Sequence, residues 1–160
     1  VSRAAILTVS DRCASGERED RSGPALIEQL TALGFEIVAA TIVPDEIDRI
    51  RAAIAAWRDA DLELVVVTGG TGIAPRDVTP EALEPLLDKQ LPGFAEHIRR
   101  HGQTYTPAAI LSRGLVGVAG RTLVLALPGS TKGATQSLEA IADLLDHAID
   151  TIRGRGDNHH

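Results

Sequence analysis

Apolar and polar residues fall in blocks along the chain, and block length separates strands from helices. Largely aliphatic runs at 4–9, 35–43, 62–67 and 122–127 are too short for buried helices and predict strands. Between them the apolar residues move to helical spacing. Leu26, Leu30 and Leu33 follow Gly23-Pro24, with Gly34 as the stop signal. Ile47, Ile50, Ile54 and Trp57 mark a second helix after Pro44-Asp45-Glu46. Thr79 reads as the cap of a short helix with Pro80 in its first turn, and 93–102 as another. A closing helix is expected over about 134–152, burying Leu138, Ile141, Leu145, Ala148 and Ile152. Residues 10–22 read as a polar loop, and 110–118 as extended chain before a turn at Gly117 and Gly120.

The order strand–helix–strand–helix–strand predicts an α/β fold, a three-layer αβα sandwich around a mostly parallel sheet. The expected domain is 1–153, followed by a flexible tail at 154–160 that includes His159 and His160. Composition narrows the function more than the fold. Aromatic residues make up 2% of the chain, so the core is aliphatic and wide stacking platforms for bases are not expected. A net charge of −6 argues against a nucleic-acid partner. The single cysteine, Cys13, excludes an internal disulfide and a multi-cysteine zinc site, and a cytoplasmic setting is expected. No apolar run has the length of a membrane span.

Candidate chemistry collects after the strands. In a parallel sheet those loops share one rim, and ligands bind there. The first strand is followed by Ser10-Asp11-Arg12, the second by Asp45-Glu46, and the last by Pro128-Gly129-Ser130-Thr131-Lys132. The third runs into Thr68-Gly69-Gly70-Thr71-Gly72, with Arg76-Asp77 close behind. Backbone without side chains can approach a phosphate closely. The loop is neither a dinucleotide fingerprint, which Pro75 interrupts, nor a Walker loop, which needs Gly-Lys-Ser/Thr. Asp45 and Asp77 are the candidate pair for holding Mg²⁺ against phosphate oxygens, although each also suits a helix start or a turn. Ser130 and Lys132 fit an anion site at a helix N-terminus, while Arg113 can meet either a phosphate or a carboxylate. Cys13, with no histidine near it in sequence, is not read as a nucleophile.

These segments resemble the molybdenum-cofactor biosynthesis proteins of the MogA/MoaB type over nearly the whole chain. The resemblance lies in Val9-Ser10-Asp11-Arg12, Asp20-Arg21-Ser22-Gly23-Pro24, Val43-Pro44-Asp45-Glu46, the stretch from Thr68 to Ala82, Leu91-Pro92-Gly93-Phe94, Leu111-Ser112-Arg113 and Leu127-Pro128-Gly129-Ser130. It implies a molybdopterin adenylyltransferase that uses ATP and Mg²⁺, moves AMP onto the terminal phosphate of molybdopterin and releases pyrophosphate. It also implies a homotrimer and hand-over of the product to a molybdate-inserting enzyme. By motif, the family's two important aspartates fall on Asp45 and Asp77. Gly69, Gly70, Thr71 and Gly72, together with Pro128 and Gly129, resemble nucleotide-binding segments, and Ser112 and Arg113 resemble positions on the pterin side. Pro-Gly-Ser-Thr-Lys-Gly looks more like the MoaB branch, whereas the stretch from Pro75 to Glu81 is similar to plant-type adenylyltransferases. The alternative within the family is a non-catalytic molybdopterin carrier.

Overall fold

A computed structural model describes residues 1–155. The tail expected at 154–160 therefore lies, from residue 156 on, outside the described residues. The strands are β1 (Arg3–Val9), β2 (Glu36–Val43), β3 (Leu64–Thr68), β4 (Lys89–Gln90), β5 (Val116–Ala119) and β6 (Thr122–Leu127). They form one sheet in the order β2-β1-β3-β6-β5-β4. The first four in that order run parallel, and β5 and β4 close the edge in antiparallel fashion. The sheet is mixed and mostly parallel. The short β4 edge carried no apolar signal, since Lys89 and Gln90 are both exposed.

Side-chain alternation along the strands divides the core in two. Ala4, Ile6, Leu64, Val66, Leu123 and Leu125 face one layer, which holds α2 (Ser22–Ala32), α5 (Pro92–Gln103), α6 (Thr131–Ile141) and α7 (Leu145–Ile152). Ala5, Leu7, Val65, Val67, Val124 and Ala126 face the other, which holds α3 (Ile47–Asp59) and α4 (Thr79–Leu83). Burial on both faces of β1, β3 and β6 explains why those segments read as near-continuous apolar runs rather than as alternation, whereas β2 at the edge is largely exposed.

Four local expectations are corrected. The 10–22 loop contains a short helix, α1 (Asp11–Ser15), capped by Ser10, whose hydroxyl accepts from the Cys13 amide. The 110–118 segment is extended only from Val116. Before it, Pro107–Leu111 forms a 3₁₀ turn capped by Thr106, and Ile110 and Leu111 point to solvent. The closing helix is two helices separated by a 3₁₀ turn at Ala142–Leu144. No Gly or Pro marks that break, and the apolar stripe from Leu138 through Ile149 continues straight across it.

Thr79 is the fourth correction. It is the first helical residue rather than the cap, and it is fully buried. Its hydroxyl donates to the Gly69 carbonyl at 2.8 Å and its amide to the Gly70 carbonyl at 3.0 Å. Thr79 therefore ties α4 to the glycine loop. The isosteric change Thr79→Val leaves the Gly69 carbonyl without that donor and lowers stability by about 1–2 kcal/mol. Urea unfolding should show a lower midpoint at unchanged slope.

Candidate functional site

The strand order reverses beside β1, because the chain passes from β1 to β2 on one side and from β2 back to β3 on the other. The loops after β1, β3 and β6 consequently meet at one rim. Gly69 and Gly129 form the junction. Gly69 has φ +106°, and a β-carbon there would run into the Val9 carbonyl. A β-carbon on Gly129 would lie 3.1 Å from the Gly69 α-carbon. The β3 and β6 loops thus pack backbone against backbone, pinned by Thr68, whose hydroxyl donates to the Pro128 carbonyl at 2.7 Å. Only glycine permits both the dihedral and the approach.

Two clefts open from this junction. The first, about 350 Å³, is polar. Ser10, Asp45, Gly69, Gly70, Asp77, Gly129, Ser130 and Thr131 line it, so residues from all four parallel-strand loops share one space. The second, about 480 Å³, is walled mainly by apolar groups, including Ile73, Ile98, Ala109 and Leu111. Gly70, Asp77, Gly129 and Ser130 line both. Thr71, Gly72, Ser112 and Pro128 line the second.

The two aspartates are half-buried and each leaves an oxygen unused. Asp45 Oδ2 accepts from the Asp11 amide at 2.8 Å, and Asp77 Oδ2 accepts from the Ala74 amide at 2.9 Å. Neither Oδ1 makes a hydrogen bond among the described residues. Burial raises the Asp45 pKa above the ordinary carboxylate value, the Asp11 amide opposes the shift, and the charges of Asp11 and Asp77 add to it. Among the described residues no group of three or more His, Cys, Asp or Glu is arranged to hold a metal. Two carboxylates with one open oxygen apiece nevertheless suit Mg²⁺, which takes one or two carboxylates and fills its shell with water and phosphate oxygens.

Three expected site residues stand differently from their neighbours. Asp11 lines neither cleft. Its carboxylate accepts from Arg76 Nε and Nη2 at 3.0 and 2.9 Å and from the Asp45 amide at 3.0 Å, and the Arg76 hydrogen bond leads the lowering of its pKa. It braces the Asp45 turn against the Asp77 loop. Arg113 also lines neither cleft. Its guanidinium is spent on the Gly72 and Asp77 carbonyls and on the Glu81 carboxylate, and its amide donates to the Thr71 carbonyl at 2.7 Å. Of the two partners left open at the sequence level, Arg113 meets the carboxylate. Lys132 is exposed on the first turn of α6 and lines neither cleft, although Thr131 and Gly133 beside it do.

The cations that line the clefts are others. Arg18 and Arg21 line the polar cleft, and Arg99 lines the larger one. Arg21 sits in a motif already noted, with no chemistry assigned to it. Arg99 lies in the helix expected at 93–102, with no role read for it from the sequence. Asp20 was likewise overlooked. Its carboxylate accepts from Thr8 Oγ1 at 2.8 Å and from the Gly23 amide at 3.1 Å, and so joins the end of β1 to the start of α2.

An α/β sheet whose glycine-rich and carboxylate-bearing loops meet at its switch point has the architecture of the doubly wound ligand-binding class. Comparison with known proteins narrows this. The family described as "Probable molybdopterin binding domain" matches residues 5–147. The chain belongs to this family of molybdenum cofactor biosynthesis proteins. It is similar to the molybdenum cofactor biosynthesis bifunctional protein of Chlorobaculum tepidum, 42% identical over 96% of this chain and 49% of that protein. It is also similar to the molybdopterin adenylyltransferase of Helicobacter pylori strain 26695, 40% identical over 93% of this chain and 86% of that one. Among solved structures, the molybdopterin biosynthesis enzyme MoaB of Thermus thermophilus superposes with a TM-score of 0.92 at 49% identity, covering 96% and 98% of the two chains. The chain spans about half the length of the bifunctional relative. No helix among the described residues is long and apolar enough to cross a membrane.

Proposed function

We propose that this protein is a molybdopterin adenylyltransferase, using ATP and Mg²⁺ in the polar cleft and molybdopterin in the larger one. The observation that carries the reading is the shared wall. Asp77, Gly70, Gly129 and Ser130 border both clefts, so two substrates can meet at a junction of glycine backbone and a carboxylate. Two relatives at 40% identity named molybdopterin adenylyltransferase support the same activity.

Charge supports the assignment of the polar cleft. Glu19, Asp20, Asp45 and Asp77 outnumber Arg18 and Arg21 by two along its walls. A bare triphosphate would be repelled there, and a triphosphate accompanied by a divalent cation would not. Asp45 and Asp77 would hold the Mg²⁺, which when bound neutralises charge on the phosphates and on the departing pyrophosphate. Arg18 and Arg21 would meet the outer phosphates, with Lys132 free to reach them from α6. The terminal phosphate oxygen of molybdopterin forms a bond to the α-phosphorus of ATP while the α–β bridging oxygen leaves with pyrophosphate. A phosphate monoester is already ionised near neutral pH, so the chain need supply no strong base. Its work is to align two anions and keep their charges compensated.

The test is pyrophosphate release from ATP by the purified chain, which should require molybdopterin and cease when Mg²⁺ is chelated. Tight molybdopterin binding without pyrophosphate release would favour the carrier reading instead. Assembly as a homotrimer and hand-over of the product to a molybdate-inserting enzyme belong to the same proposal, and sedimentation tests the first of these.

A further inference from the structure

The larger cleft needs a positive group if its ligand is anionic, and the residue expected to provide one, Arg113, lines neither cleft and has four of its five donors and its charge engaged within the protein. Its Nε and Nη2 are taken by backbone carbonyls, and Nη1 and Nη2 by Glu81. Among the residues lining the cleft, Arg99 alone carries a positive side chain, and Asp77 alone a negative one.

Arg99 follows the buried Ile98 on α5 and is itself half-buried. Nη1 donates to the Gly114 carbonyl at 2.9 Å and leans toward the Ser112 carbonyl at 3.4 Å. Those carbonyls fix one corner of the guanidinium and orient its plane. The Nε–Nη2 edge makes no hydrogen bond among the described residues, and neither nitrogen is a buried orphan. Elsewhere in the same protein that edge grips a two-oxygen anion, as in Arg76 on Asp11 at 3.0 and 2.9 Å. No carboxylate lies within salt-bridge distance of Arg99 among the described residues. An oriented guanidinium in an apolar-walled cleft, held by carbonyls and lacking an anionic partner, is arranged to receive an anion from outside.

We infer that Arg99 receives the phosphate monoester of the second substrate through its Nε–Nη2 edge. This rests on the adenylyltransferase reading, and it gives that reading a specific contact. Arg99 would select a phosphorylated ligand and hold the attacking phosphate toward the junction, while Arg113 shapes the loop that carries Asp77.

The experiment titrates molybdopterin, its dephosphorylated form and ATP into the wild-type protein, Arg99→Gln and Arg99→Lys. For Arg99→Gln the molybdopterin Kd should rise by about ten- to a hundred-fold. Its salt dependence should weaken, and ATP affinity should be unchanged. Arg99→Lys keeps the charge without the fork and should recover part of the loss. The dephosphorylated ligand should bind the wild-type protein and Arg99→Gln alike. Unchanged molybdopterin binding in Arg99→Gln, while Asp77→Asn still blocks AMP transfer, overturns the Arg99 assignment and leaves the adenylyltransferase reading intact. So does equal loss of ATP and molybdopterin affinity, which marks a structural role. An equal loss on the dephosphorylated ligand overturns recognition of the phosphate. If the wild-type protein neither binds molybdopterin nor releases pyrophosphate, both readings fall.

Discussion

Asp77→Asn should lower the rate of AMP transfer by about a hundred- to a thousand-fold, the loss typical of removing one preorganised electrostatic group. Asparagine keeps the shape and can still accept the Ala74 amide that Asp77 Oδ2 now holds at 2.9 Å. It removes the charge and with it the metal ligand. The surrounding loop does not depend on that carboxylate for position. Arg113 holds it through the Gly72 and Asp77 carbonyls, and Thr79 through those of Gly69 and Gly70. Thermal stability should therefore stay within a degree or two of the wild type. The loss should appear in kcat rather than in molybdopterin affinity, because the negative charge acts where phosphate charge is compensated. A variant that turns over at the wild-type rate, with Mg²⁺ still required, removes Asp77 from the mechanism.

The parts of the site carried by the backbone were legible in the sequence, and those carried by side-chain direction were not. Strand ends and glycine clusters are local signals. The rule that loops after parallel strands share a rim was enough to bring Asp45, Asp77, Gly69 and Gly129 near one another. A basic side chain carries no such signal. Arg99, Arg100 and Arg113 look alike in sequence, and tertiary contacts alone turn Arg113 to Glu81 and leave Arg99 along the cleft. Apolar residues misled for a related reason. Ile110 and Leu111 suggested a strand because apolar runs normally enter a sheet, yet here Leu111 helps wall the larger cleft and both side chains remain exposed. The α6–α7 break was hidden because a 3₁₀ turn in the middle of the stripe does not disturb its period.

Arg153→Met should cost about 1–3 kcal/mol of stability, the range for taking a buried hydrogen-bonding partner away. Arg153 is 5% exposed at the end of the sheet opposite the clefts, where β3 and β6 begin. Nη2 donates to the Asp61 and Leu62 carbonyls at 2.9 and 3.0 Å, and Nη1 lies 3.6 Å from Glu63, itself only 11% exposed. Asp61 has φ +60°, a conformation rare outside glycine but tolerated by aspartate, and Arg3 grips the same carbonyl at 2.9 Å. Methionine fills the volume but leaves Glu63 with Arg3 alone as counter-charge, and takes one of two donors from each carbonyl, Asp61 keeping Arg3 and Leu62 keeping the Thr122 hydroxyl. The effect should depend on pH. Burial pushes the Glu63 pKa up, but the Arg3 amide and the charges of Arg153 and Arg3 prevail, so the folded value lies below the ordinary glutamate value. A depressed carboxylate stabilises the fold above its unfolded pKa and loses that contribution as pH falls through the folded pKa. The gap between wild type and Arg153→Met should accordingly be widest near neutrality and narrow below about pH 4, the usual glutamate range. Urea unfolding at both pH values measures it. A gap under about 1 kcal/mol, smaller than the loss of a buried hydrogen-bonding partner should give, would show that this cluster does not hold the strand ends. A gap that does not change with pH would separate Glu63 from the effect and leave the carbonyls as its source.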